Sequence, residues 1–322
     1  MDHQQRRYSH TRFIRVLLAL VTVLTALSGC LFSQTLRYIA PVTIQYTAHT
    51  NFPGARAAGF ADAFVSDAYD VTSLYWNPSA LAYIKQTSVI ANYSQERIIR
   101  AMEEDITFPL RIIGHEALAA GISANNVGYL GTRSKTPFRA VQYAGTIAYA
   151  KEIIPAFSVG ASALLQYGQS DASKLWTASG SLGIFYAPDD QVSYGASFSG
   201  IGSGILYQTD DHITTSLVTQ NLPHILTAGA TVRFPENPNQ TILIISVANS
   251  KLFGESGIRY NGGLELWPVK FFALRGGYVV YPNLSAARFG MGLRFPGVEF
   301  DSAISPSKST DQAVHFSFAV DL

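Results

Sequence analysis

The sequence predicts an all-β chain: a transmembrane antiparallel β-barrel of about fourteen strands with an N-terminal plug or hatch segment inside its lumen. Three observations predict this. Apolar residues alternate with small or polar ones in runs of about ten from Thr87 to the C-terminus, the pattern of strands with a lipid face and a lumen face. Connections between the runs alternate between tight and generally longer. Charged residues make up 14% of the 322 residues, against about 25% in a typical soluble domain. The charges themselves balance, 23 basic against 22 acidic, which excludes the basic excess of a nucleic-acid binder. A single cysteine, Cys30, excludes an intramolecular disulfide.

Residues 1–33 read as an export segment. Arg6, Arg7, Arg12 and Arg15 precede the apolar run VLLALVTVLTAL at 16–27, which is too short for a spanning helix and fits a signal peptide. Leu27-Ser28-Gly29-Cys30 resembles a bacterial lipobox, in which Cys30 is acylated and becomes the mature N-terminus. Cleavage after Ser33, leaving Gln34 first and discarding Cys30, is the other route, and the sequence leaves both open. Either route carries the chain out of the cytoplasm.

Residues 34–86 are expected to form the periplasmic or plug segment. Its core, NFPGARAAGFADAFVSDAYDVTSLYWNPSALAY at 51–83, does not alternate. Gly54, Gly59 and many small residues permit close backbone packing, and Asp67, Asp70 and Asn77 can bond their own backbone in turns. A segment this short and glycine-rich cannot build its own core, so it is placed inside the barrel. Pro78 keeps Asn77 out of helical conformation, and the Asn77 amide can satisfy backbone groups that a turn exposes.

Residues 87–322 supply the barrel. The expected strands are 87–95, 104–111, 115–127, 138–151, 155–167, 174–187, 191–201, 223–234, 239–250, 258–267, 270–281, 285–295, 297–305 and 312–321. In 174–187 one face reads Trp176, Ala178, Gly180, Leu182, Ile184 and Tyr186, and the other holds Thr177, Ser179, Ser181 and Gly183. Its aromatic ends span roughly 23 Å of a tilted strand, the height of an apolar membrane band. A soluble sandwich also alternates, but it would set charges on its broad solvent face. Tight connections such as 112–114, 152–154, 188–190 and 268–269 are expected on the periplasmic side with both termini, and 128–137 and 202–222 as outer loops.

Ionised groups facing lipid would cost about 2–4 kcal/mol each at mid-depth, so the strand charges are assigned to the lumen. There Arg259, Arg275, Arg288 and Arg294 face Glu265, Glu299 and Asp301. Four cations against three anions describe a salt-bridged wall more than a strongly ion-selective pore. Gly200, Gly202 and Gly204 lack the Lys and Ser/Thr of a phosphate loop. Asp210, Asp211 and His212 are adjacent and poorly placed for a metal, and Glu103, Glu104 and Asp105 read as a solvated or lipopolysaccharide-facing patch. His115, His224 and His315 lie on separate strands with no nucleophile set. No cofactor, metal or catalytic site is expected, so the chain is read as a non-enzyme.

The string GARAAGFADAFVSDAYDVTSLYWNPSALA resembles the N-terminal signature of the PorV/PorQ group of outer-membrane proteins and, more distantly, of the FadL-type transporters. The resemblance implies a fourteen-stranded barrel in a Gram-negative-type outer membrane, with Trp76, Asn77, Pro78 and Ser79 in the hatch that closes the lumen. It implies passage or binding of hydrophobic small molecules through a plugged barrel, with lipid or lipopolysaccharide around it. The alternative it carries is a component of protein export of the type IX secretion kind, with exported proteins as partners. An open diffusion porin is disfavoured because the plug would block it.

Overall fold

The computed structural model describes residues 54–67, 70–84, 87–96, 101–127, 140–170, 173–211, 214–220, 222–235, 242–281, 284–306 and 313–322. Cys30, the export segment and the first twenty residues of the 34–86 segment lie outside these. Fifteen strands occur among the described residues. They are β1 (Ser88–Glu96), β2 (Ala101–Ile113), β3 (Glu116–Val127), β4 (Ala140–Ile154), β5 (Phe157–Ser170), β6 (Ser173–Tyr186), β7 (Val192–Asp211), β8 (Thr214–Gln220), β9 (Ile225–Phe234), β10 (Leu243–Leu252), β11 (Arg259–Val269), β12 (Phe272–Tyr281), β13 (Leu284–Phe295), β14 (Val298–Ser305) and β15 (Ala313–Asp321).

All pairings are antiparallel, and the sheet closes. β1 pairs with β15, from Ser88 opposite Asp321 to Glu96 opposite Ala313, while β7 pairs with both β6 and β9. Fourteen strands therefore form a closed antiparallel barrel, which leaves no sheet edge to be satisfied in lipid. β8 is the fifteenth and pairs only with the far end of β7 among the described residues. This corrects the expectation of an irregular loop at 202–222: β7 runs on to Asp211 and turns back as a hairpin beyond the barrel wall. Its lower part pairs with β9 as far as Ser199, and its upper part with β6 and β8. The glycine-rich FSGIGSG run is the changeover point, where Gly200 takes φ 83° and the β6–β7 register shifts, as a bulge requires.

Loop asymmetry is smaller than expected, because strands consume the loops. β5 and β6 still pair at Gln169 and Lys174 and are separated by two residues, as are β12 and β13. The two ends of the barrel remain distinct. One, the turn end, carries Gly114–His115, Pro155–Ala156, Lys270–Phe271 and Pro296–Gly297 together with the start of β1 and the C-terminus. The other is the loop end.

The outward face is apolar at mid-strand. Trp176 and Leu182 are each 55% exposed and Ile184 48%, an area that would aggregate in water and is matched only to lipid. The buried hydrophobic core lies inside the barrel. Phe64, Leu74, Trp76 and Leu81 of the N-terminal segment pack against Ile90, Ala117, Ala119, Ala148, Ala150 and Phe185 of the wall. The wall thus offers small side chains where the segment offers large ones.

Candidate functional site: the plugged lumen

Residues 54–84 cross the lumen as two short helices, α1 (Ala55–Gly59) and α2 (Ser73–Trp76), followed by a 3-10 turn at Pro78–Tyr83. Phe60, Phe64, Val65, Val71, Leu74 and Leu81 are fully buried, at about 1.5–3 kcal/mol each. So little regular structure leaves many backbone groups unbonded, and each needs a partner. The inward polar positions of the wall supply them. Ser158 Oγ donates to Ser79 O at 2.8 Å, Ser193 Oγ to Ser66 O at 2.7 Å, Ser246 Oγ to Ala63 O at 2.5 Å and Asn261 Nδ2 to Ala61 O at 2.5 Å. Ala55 N donates to Ser317 Oγ at 2.7 Å. These five contacts come from β5, β7, β10, β11 and β15, so the segment is stitched around most of the circumference.

Asn77 and Pro78 open the 3-10 turn as N-cap and first residue, a placement that suits both. Asn77 Oδ1 accepts from Ser79 N at 3.3 Å and Ser79 Oγ at 2.6 Å, while its Nδ2 donates to Val65 O at 3.0 Å and Ile184 O at 3.1 Å. One buried amide therefore holds its own turn, a second part of the segment and the β6 wall. Trp76 packs edge-on to Phe64 at 5.8 Å. The wall approaches so closely here that a Cβ on Gly183 would overlap Asn77 Oδ1, and one on Gly195 would overlap Val65 O.

Charge makes the second set of ties. Arg56 Nη2 binds Asp67 at 2.6 Å, Arg56 Nε binds Glu265 at 3.0 Å, and the guanidinium lies 5.2 and 5.1 Å from the rings of Phe60 and Phe64. Arg233 closes on the other oxygen of Asp67. Arg275, fully enclosed, binds Glu265 at 2.5 Å and Asp301 at 2.5 Å. Trp267 Nε1 donates to Glu265 Oε1 at 2.9 Å. Asp67 was expected to bond its own turn and instead takes two arginines. Asp70 does bond locally, accepting from Thr72 N at 2.8 Å, and burial raises its carboxyl above its ordinary 3.8.

A separate group faces the loop end. Asp62 of the plug receives Arg288 Nη1 at 2.6 Å on one oxygen and Arg259 on the other. Burial alone would raise the Asp62 carboxyl, but Arg288 and then Arg259 hold it below 3.8. Asp62 and its neighbour Ala61 both take left-handed backbone, φ 64° and 54°, at a cost of order 1–3 kcal/mol per residue.

Arg294 touches the turn-end group only at its edge, through Glu299, which also lies 3.9 Å from Arg275. It is about half exposed, pairs with Glu299 at 2.9 Å and covers the Trp267 ring at 4.4 Å. Both line a cavity of about 870 Å³ that opens at the turn end beneath the plug. Its apolar surface includes Phe64, Tyr83, Ile242, Ile244 and Trp267, and its acidic surface Asp70, Asp190 and Glu299. This volume lies within the range of small-molecule pockets.

Sequence reasoning placed Arg259, Glu265, Arg275, Arg288, Glu299 and Asp301 on the wall but missed their plug partners Arg56 and Asp62, the wall cation Arg233, and the close-approach glycines Gly183 and Gly195. Arg56 and Asp62 did carry a signal: they are isolated charges in a run of Gly and Ala, with no water to receive them once the run is buried.

No family model matches the sequence, and no curated protein matches it. Solved structures do match. The toluene transporter TodX of Pseudomonas putida aligns with a TM-score of 0.62 at 11% identity, over 84% of this chain and 98% of that one. For the toluene transporter TbuX of Ralstonia pickettii the values are 0.59, 13%, 83% and 97%. For a Pseudomonas aeruginosa FadL homologue they are 0.57, 12%, 84% and 98%. The chain shares their fold. At such low identity the likeness concerns the backbone, and the ties described above are this chain's own.

Proposed function

We propose that this chain is an outer-membrane channel for hydrophobic small molecules, held shut by residues 54–84. The observation that carries the reading is a closed fourteen-strand barrel, plugged by its own N-terminal segment, that matches two toluene transporters over nearly their whole length. Two features of this chain support it. The wall charges near the turn end are largely spent on the plug and on one another. The cavity beneath the plug sets aromatic and aliphatic side chains where a small apolar molecule would leave. In this reading the turn end and both termini face the periplasm, the membrane lipids surround the outer face, and residues 1–33 are the removed or lipidated export segment. The PorV/PorQ-like export role rests on the 54–82 string alone, so the channel reading is preferred.

The test is uptake of radiolabelled toluene by cells that carry the chain against cells that lack it. Faster uptake with the intact chain, saturating with concentration, is the expected result. Equal uptake in both strains, with the barrel shown to be inserted, would refute the channel reading.

A further inference from the structure

The two charge groups of the lumen differ in a way that the plugging role does not require. Near the turn end three guanidinium groups, of Arg56, Arg233 and Arg275, meet three carboxylates, of Asp67, Glu265 and Asp301, and Arg275 is fully enclosed. Near the loop end two guanidinium groups, of Arg259 and Arg288, meet one carboxylate among the described residues, that of Asp62. Both of these arginines are open, 28% and 21% exposed. On each, Nε is buried and finds no hydrogen-bond partner. A guanidinium presents its donors as a fork suited to a second oxygen, so the pair has both spare charge and spare donors.

We propose that Arg259 and Arg288 form an oxyanion-binding site on the loop-end face of the plug, in which Asp62 is the resident carboxylate and an external oxyanion takes its place. Strand geometry supports this. β11 begins at Arg259, next to the loop end, and on the intervening β12 Gly277 lies opposite Arg288 while Val279, buried, lies opposite Asn261, so the two guanidinium groups reach past Val279 and meet at the Asp62 carboxylate. His315 of β15 lies within electrostatic range of Arg288 and Asp62 and completes a polar mouth. Asp62 is held in left-handed backbone by the ion pairs and by the Asn261 tie to Ala61 O. A carboxylate displaced from the arginines leaves that backbone its Asn261 and Ser246 ties without the ion pairs, and residues 60–63 loosen. The exchange makes the pair a catch: an anion arriving from the loop end unfastens the plug on that side, while the balanced group near the turn end keeps it in the barrel.

Asp62 is tethered, so it competes at an effective concentration in the millimolar range. The solute must exceed this, which sets the probe at about 100 mM inorganic phosphate, with acetate and chloride arms at equal ionic strength and pH. The readout is amide hydrogen exchange of peptides covering 57–67 in the full chain reconstituted in nanodiscs. Phosphate and acetate should each speed exchange of this segment about tenfold over chloride, while the 74–82 peptides stay unchanged. In an Arg259→Gln/Arg288→Gln variant the segment should exchange fast in all three salts. Equal exchange of the wild-type chain in all three overturns the proposal, and needs no variant. A second measurement uses Asp62→Asn, which removes the resident carboxylate: calorimetry should show phosphate bound at least about tenfold tighter than by wild type, the loss of a tethered competitor. No phosphate binding by a folded Asp62→Asn chain also overturns it. The inference rests on residues 54–84 being the plug, not on the nature of the cargo. Toluene uptake that persists when phosphate has no effect would remove the catch and leave the channel, and the reverse result would do the opposite.

Discussion

Arg56 shows what a single residue does in this lumen. It comes from a segment of Ala and Gly, yet it bridges Asp67 within the plug to Glu265 on β11 and lies against two plug phenylalanines. Removing one partner of a buried ion pair costs about 3–5 kcal/mol. Because Glu265 keeps Arg275 and Asp67 keeps Arg233, Arg56→Ala should cost about 3 kcal/mol of plug stability, the lower end of that range. Faster hydrogen exchange across 55–67 would register it, with exchange in the β12 and β13 strands unchanged. Asp62 gives a pH-dependent counterpart. Its carboxyl lies below 3.8 when the plug is seated, so its contribution is fully present above that value and is lost as pH falls through the lower, seated one. The destabilisation of the plug by Asp62→Asn should therefore be full at pH 7 and shrink toward zero at the acid end. A destabilisation that stayed constant from pH 7 to about 2 would show that the Asp62 charge is not what holds it.

At the scale of the element, the plug is a segment without a fold of its own. Its helices have five and four residues, well short of the length at which an isolated helix holds in water. What orders them is the wall: serine and asparagine donors for the carbonyls, alanines for the large side chains, and glycines where the backbone comes nearest. Gly183→Val puts a branched side chain into the position of the Asn77 amide, and overpacking of this kind costs about 1–3 kcal/mol. The barrel itself has room for the change on the lumen side once the plug leaves. The expected phenotype is a barrel that inserts and stays heat-modifiable on gels but conducts in planar bilayers, where the wild type should be almost silent. Deletion of 54–80 should conduct more strongly still. A silent, folded deletion variant would place the block elsewhere, with the β7–β8 hairpin the next element to test.

The whole molecule sets a direction. Even strand count in the barrel puts the start of β1 and the C-terminus at one end, and the short turns collect there. That end carries the acidic, partly apolar cavity, and the other carries Arg259 and Arg288 with the β7–β8 hairpin. Outer-membrane barrels keep short turns in the periplasm, so cysteine introduced at Glu255, in the β10–β11 connection, should react with an impermeant maleimide on intact cells. Cysteine at Asp190, in the β6–β7 turn, should react only after the outer membrane is opened. The reverse pattern would invert the barrel and put the 870 Å³ cavity outside.

The barrel was legible because its code is local. A period of two with apolar side chains on one face is written into every strand, and Trp176 to Tyr186 can be read without knowing what lies beside them. The 54–83 segment was legible only as an exception, a run that fails to alternate and has too few large residues for a core. Its Asn77-Pro78 turn could be read because both residues act on their own neighbours in the chain. The 202–222 hairpin was missed for a related reason: the glycines look like a loop until β6 is present to pair with Gly202 and β8 with the residues from Ile205 on. Partners remote in the chain were beyond local reading. Nothing near Asp67 indicates that Arg233 will reach it across 166 positions, or that Asp62 will sit between Arg259 and Arg288. Sequence alone thus determined the membrane barrel, its strand faces and the odd segment before it. Closure of the barrel decided which charges meet and which glycines touch the plug, because ion pairs and close approach depend on distance in space, and only the closed sheet sets those distances.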